Sequence, residues 1–233
     1  MRTIAFLTQK GGTGKTTLAA SIAVAAAEKG EKVVVLDLDP QASLVHWGER
    51  RQAANARCPA ICQVIVEPFE SERLPRLPSI LAGLAGVGFT LAIFDTVGAD
   101  ASATRLVAES ADLCLLPARP SRLDVEATAA TFRCAFLAKR KAAFVLNQCP
   151  AALRSPRITD SAKDLSHLGV LAEPMLTARM DFQDAMSAGL GATEYARGGR
   201  AAQDIEALWA WIGGQLAAGE SGAAAQKAGR QAA

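Results

Sequence analysis

The run TIAFLTQKGGTGKTTLAASIAVAAAEKG, residues 3–30, constrains the fold more tightly than any other part of the chain. TIAFLT is short, apolar and rich in strand formers, and it stops at glycines, so it reads as a buried strand. Lys15–Lys29 is alanine-rich with neither proline nor internal glycine, and Gly30 ends it, so it reads as a helix. Between them lie Gly11, Gly12 and Gly14. A strand feeding a glycine loop that opens a helix lets successive N–H groups converge on an anion, with the positive end of the helix behind them.

The spacing follows the phosphate-cradling loop G-x-x-x-x-G-K-[ST] with one deviation. Gly14, Lys15 and Thr16 supply its end, but Gln9 stands where the first glycine belongs, and a second lysine, Lys10, precedes Gly11 and Gly12. Gly11, Gly12, Thr13, Gly14, Lys15, Thr16 and Thr17 are therefore expected to bind the nucleotide, and the spacing alone leaves the part of Lys10 open. Lys15 would neutralise the β- and γ-phosphates of ATP, and the Thr16 hydroxyl would complete a Mg²⁺ shell. The plain alternative is a glycine turn that binds nothing.

Further strands are expected at KVVVLD (32–37), QVIVE (63–67), TLAIFD (90–95), DLCLLP (112–117) and AAFVLN (142–147), with helices near 70–85, 122–138 and 157–168. Continuous rather than alternating apolarity implies strands covered on both faces. The expected fold is α/β, a mainly parallel doubly wound sheet with helices on both faces, in one domain over 1–216. SAGLGATEYARGGR (187–200) reads as a loop and QDIEALWAWIGGQL (203–216) as a helix with an apolar face. Residues 217–233 have no large apolar anchor and are expected to be disordered.

Composition excludes several classes. Half of the 233 residues are apolar and the net charge is only +2, too small to announce a nucleic-acid binder. Five cysteines without a C-x-x-C pair read as free thiols in a reducing cytosol. The longest apolar run, residues 18–27, is too short to span a bilayer, and no secretory signal is visible, so a cytoplasmic protein is expected.

Two acidic segments complete the candidate site. Asp37 and Asp39 in VVVLDLDPQAS end the second strand at the carboxyl edge, where ligands of open α/β sheets bind, although a strand-terminal Asp before proline can simply start a turn. TLAIFDTVG delivers Asp95 to the same edge, placed to steady Mg²⁺ directly or through water.

Together KGGTGKTT, DLDPQAS and FDTVG resemble the ParA/MinD group of deviant Walker-motif ATPases, over nearly the whole chain to about residue 215. Within the group the chain is most similar to small plasmid-partition ATPases of the ParF-like branch. DPQASLVHWGERR, LLPARPSRLDV, FVLNQ and GGRAAQDIEAL add to the likeness. It implies that Lys10 reaches across an ATP-dependent homodimer to the partner's nucleotide, and that Asp39 positions the attacking water. It implies that Asp95 joins the magnesium shell, and that Asn147 helps hold the adenine, or else merely caps its strand. Lys10, Lys15 and Asp39 are thus the expected catalytic set. Two departures stand out: Val97 where proline is usual, and Thr8 where asparagine is usual.

Between Arg119 and Arg157 eight basic residues face two acidic ones. A solvated surface is one reading. The other is attraction to the phosphates of double-stranded DNA without sequence preference, through Arg119, Arg122, Lys139, Arg140, Lys141, Arg154 and Arg157, with Arg197 and Arg200 added. The resemblance implies a nucleoid-associated ATPase, released from DNA when a centromere-binding ParB-like partner stimulates hydrolysis. The alternative is an ATP-driven assembly switch on DNA or a conjugation complex, with incidental turnover. The tail offers no amphipathic face, so no membrane role is expected.

Overall fold

The computed structural model describes residues 1–58, 60–97, 101–151 and 155–231, without the side chains of 101 and 219–231. Seven parallel strands form one sheet: β1 (Arg2–Phe6), β2 (Val33–Asp37), β3 (Val64–Pro68), β4 (Leu91–Asp95), β5 (Leu113–Ala118), β6 (Lys141–Leu146) and β7 (Val170–Leu171). Their order is β3-β2-β4-β1-β5-β6-β7. The chain thus builds outward from β1 in both directions, and the reversal leaves a crevice at the carboxyl ends of the central strands. Register sharpens this: Asp37 pairs with Asp95, and Asp95 with Phe6.

The helices are α1 (Lys15–Glu28), α2 (Ser43–Arg57), α3 (Leu77–Gly86), α4 (Ala101–Ser110), α5 (Arg122–Leu137), α6 (Pro156–Leu168), α7 (Met180–Ala188), α8 (Ala192–Tyr195) and α9 (Arg200–Gln231). A 3₁₀ turn, Ser71–Arg76, precedes α3. Alternate strand residues feed two cores. Ile4, Phe6, Val33, Val35, Leu91 and Ile93 pack against α1 and α9, whereas Ala5, Leu7, Val34, Leu36, Ala92 and Phe94 face the other layer. This is why the strands read as unbroken apolar runs.

Helix α1 is buried from Leu18 to Ala26, and its alanines let it lie close to the sheet. The apolar face expected in 203–216 is real: Ile205, Leu208 and Ile212 are fully buried against α1 and the sheet. The segment 187–200, expected to be a loop, contains the short helix α8, because the Glu194 carboxylate accepts from the Gly191 N–H and caps its start. Beyond Ala217, where disorder is expected, α9 continues as helix to Gln231. The alanine-rich composition favours helix there even though Leu216 is the last large apolar residue. No helix among the described residues is long and apolar enough to cross a membrane.

Candidate functional site

The loop after β1 forms as its glycines require. Gly14 has φ 91° and is the N-cap of α1, with no side chain capping the helix. A Cβ at Gly14 would collide with the Asn147 amide, so the approach of β6 to the loop also demands glycine there. The first N–H groups of α1 have no intrahelical acceptor and point out of the helix start, with the positive end of the helix dipole behind them.

Lys15 and Asp95 lie at the floor of this site, 8% and 1% exposed. Burial lowers the Lys15 pKa, with the charges of Asp95 and Asp39 pulling the other way. Burial pushes the Asp95 carboxyl up to about 7; the Asp37 and Asp39 charges add to this, while the Thr16 hydroxyl and Lys15 oppose it. Neither Asp95 oxygen has a partner of hydrogen-bonding geometry among the described residues. A buried carboxylate with both oxygens unspent beside a threonine hydroxyl is a donor set that fits a hard divalent cation such as magnesium, which Thr16 and Asp95 would hold.

Asp37 resolves differently. Its Oδ2 accepts from the N–H groups of Leu44 and Val45 at 3.0 and 3.1 Å, and its Oδ1 accepts from Asp39 N–H at 3.0 Å. Asp37 therefore caps α2 and shapes the loop, while burial raises its pKa against those three bonds. Asp39 opens the turn that follows, half-buried, its Oδ1 accepting from Gln41 N–H at 2.9 Å.

Lys10 does not point freely into solvent. Its Nζ lies 3.4 Å from Asp124 Oδ2, and Arg119 Nε lies 3.2 Å from Asp124 Oδ1. Ser121, the N-cap of α5, donates its hydroxyl to the same carboxylate. Burial would raise the Asp124 pKa, but Ser121, Arg119 and Lys10 together outweigh it and hold it below the usual carboxylate range. Arg119 reaches over Gly12, with its guanidinium 4.0 Å from where a Cβ there would sit. The expected DNA patch includes Arg119 and leaves Asp124 without a role; the PSRLD stretch, a capping serine three residues before an aspartate, is the signal for that corner.

Asn147 donates from Nδ2 to the Thr13 carbonyl at 2.7 Å, so it braces the loop instead of capping its own strand. Beside it opens a cleft of about 300 Å³, lined by Gly14, Thr17, Leu18, Arg179, Met180 and Phe182 among others. Apolar walls with a few polar groups next to the phosphate loop suit a planar base.

The expected basic patch divides. Arg119 belongs to the phosphate site, and Arg122 pairs with Glu126 at 2.9 Å. Arg157 lines a groove with Asp160 and Asp164. Lys139, Arg140 and Lys141 sit at the far end of α5, about 24 Å from Arg122 for sixteen residues of helix. There Arg140 donates to the Glu109 carbonyl and Lys141 to that of Gln215. Arg197 and Arg200 flank the α8–α9 turn, and Arg154 is outside the described residues. Among the described residues all five cysteines are free; Cys114 and Cys149 are buried and Cys58 is exposed.

A family model described as the CobQ/CobB/MinD/ParA nucleotide binding domain matches residues 4–209. The chain belongs to this family. It is 38% identical over 125 residues to maintenance of carboxysome distribution protein A of Gloeobacter kilaueensis, a match covering 53% of this chain and 52% of that one. It is 26% identical over 190 residues to protein virC1 of Rhizobium radiobacter, covering 81% and 80%. Among solved structures, MinD in the MinC:MinD cell division complex of Aquifex aeolicus superposes with a TM-score of 0.75 at 17% identity, covering 92% of this chain and 96% of that one. Apo McdA of Cyanothece gives 0.73 at 16%, covering 91% and 99%. At these identities the likeness carries the fold.

Asp95 makes the nucleotide-free protein sensitive to pH. Its folded pKa lies above its unfolded one, so the folded state holds the extra proton and stability falls as pH rises from about 4 through 7. Asp95→Asn removes that loss. By thermal denaturation without nucleotide, the variant is expected to exceed the parent by more than about 2 kcal/mol near pH 8. The gap should close as pH falls towards about 5.

Proposed function

We propose that this protein is a slow ATPase, carried by residues 1–216, whose ATP-bound homodimer binds double-stranded DNA without sequence preference and positions a plasmid or other cargo. A centromere-binding, ParB-like partner stimulates hydrolysis and so releases the dimer. Family membership supports nucleotide chemistry, and the names of its relatives, ParA and maintenance of carboxysome distribution protein A, support a partition or positioning role. The observation that carries the reading is the pair of lysines on one glycine loop: Lys15 buried at its floor, and Lys10 at its mouth, 31% exposed and paired with Asp124.

The chemistry follows from these placements. Loop N–H groups and Lys15 bind the polyphosphate, and the base enters the cleft beside Asn147. Thr16 and Asp95 would hold magnesium, which would supply charge neutralisation on the polyphosphate. Asp39, on the loop opposite, accepts a hydrogen bond from the attacking water and so orients it. A lone protomer leaves Lys10 on its own Asp124. Crossing to a second protomer requires leaving that carboxylate, and two facing triphosphates supply the counter-attraction in a site that excludes water.

No continuous basic face of one protomer carries the DNA contact, because α5 packs on one layer of the sheet and the α8–α9 turn on the other, so the DNA surface is assembled only when protomers pair. The Oδ1 contact of Asp39 with its own loop favours a second reading, in which ATP drives assembly on DNA or a conjugation complex and hydrolysis is incidental.

Asp39→Ala separates them. Under the main reading the variant keeps ATP and DNA binding but loses partner-stimulated phosphate release by about 10²-fold or more; unchanged release would exclude Asp39 from the chemistry. Binding to unrelated duplexes, followed by fluorescence anisotropy, should require ATP and fall steeply between about 50 and 200 mM salt. Equal affinity with ADP would contradict gating by the dimer.

A further inference from the structure

The phosphate loop is held from outside by two consecutive amides. Asn147 Nδ2 donates to the Thr13 carbonyl at 2.7 Å, and Gln148 Nε2 donates to the Gly12 carbonyl at 2.9 Å. In a trans peptide the carbonyl and the next N–H point in opposite directions. Fixing the Gly12 carbonyl outward therefore turns the Thr13 N–H inward, and fixing the Thr13 carbonyl turns the Gly14 N–H inward. Among the described residues neither of these N–H groups has an acceptor. They are the donors an anion nest needs.

Gln148 occupies its place under strain. Its φ is 54°, in the left-handed region that a Cβ makes unfavourable. Glycine would relieve this, yet the chain carries there a side chain long enough to reach the loop. We infer that Gln148 is a positioning residue for phosphate binding, which aims the Thr13 N–H by tethering the Gly12 carbonyl. It acts on the phosphates of any nucleotide and not on the base, although it also lines the base cleft. The inference rests on nucleotide binding at this loop.

Titration calorimetry of the full chain with Mg²⁺-ADP and with Mg²⁺-pyrophosphate, which has no base, tests it. Gln148→Ala and Gln148→Met should weaken both probes by the same factor, roughly 3- to 10-fold for one lost hydrogen bond. Methionine matches glutamine in length without a donor, so its failure to rescue separates hydrogen bonding from filling space. Gln148→Gly relieves the positive φ and should fold with a thermal midpoint no lower than that of Gln148→Ala, yet show the same loss. Weakening confined to ADP would make Gln148 a base contact and overturn the inference, as would rescue by methionine or no weakening at all. Failure of the unaltered protein to bind either probe would instead defeat the nucleotide reading itself.

Discussion

Burial of an opposed Lys15 and Asp95 at the carboxyl edge of a parallel sheet is the constraint on which the site depends. Charges at such depth are costly unless compensated, and here β1 and β4, hydrogen-bonded neighbours, deliver one to each side of the same crevice. The rest of the local structure keeps that crevice in shape. Asp37 spends its carboxylate on the start of α2, leaving Asp39 half-exposed on the loop beyond. Asn147 and Gln148 spend their amides on loop carbonyls, leaving N–H groups facing inward. Among the described residues the Asp95 oxygens stay uncommitted, open to a magnesium-bound polyphosphate.

Lys10 belongs to a second tier. It shares one buried carboxylate with Arg119, so two cations share the single negative charge of Asp124, to which the Ser121 hydroxyl also donates, at the mouth of the site. The ammonium contact at 3.4 Å and the guanidinium contact at 3.2 Å are both looser than an ideal charge-assisted bond, so neither cation is locked in place. A protomer can therefore be stable alone and still carry a cation ready for a neighbour's phosphates.

Much of this was legible in the sequence because it is local. Six of the seven strands appear as continuous apolar runs, and loop, lysine and threonine follow each other within eight residues. What escaped is non-local or disguised. β7 is two residues long. Helix α2 buries Leu44, Trp47, Gly48 and Arg51, a stripe of helical spacing that hydropathy misses because Arg51 is buried through its pairing with Glu194 and its stacking on Trp47. Asp124 and Gln148 act on residues 114 and 136 positions away, and no spacing rule reaches that far. The basic run from Arg119 to Arg157 misleads for the opposite reason: neighbours in sequence are not neighbours in space, because a sixteen-residue helix separates them.

The central claim is that a triphosphate joins two copies of this chain through Lys10. Light scattering or native mass measurement with Mg²⁺ and a non-hydrolysable ATP analogue addresses it most directly. Twice the protomer mass of 24.3 kDa is expected with the analogue, a single protomer with ADP, and single protomers in both states for Lys10→Ala. Isolated protomers of the unaltered protein under saturating analogue, or a persistent dimer in the variant, would contradict it.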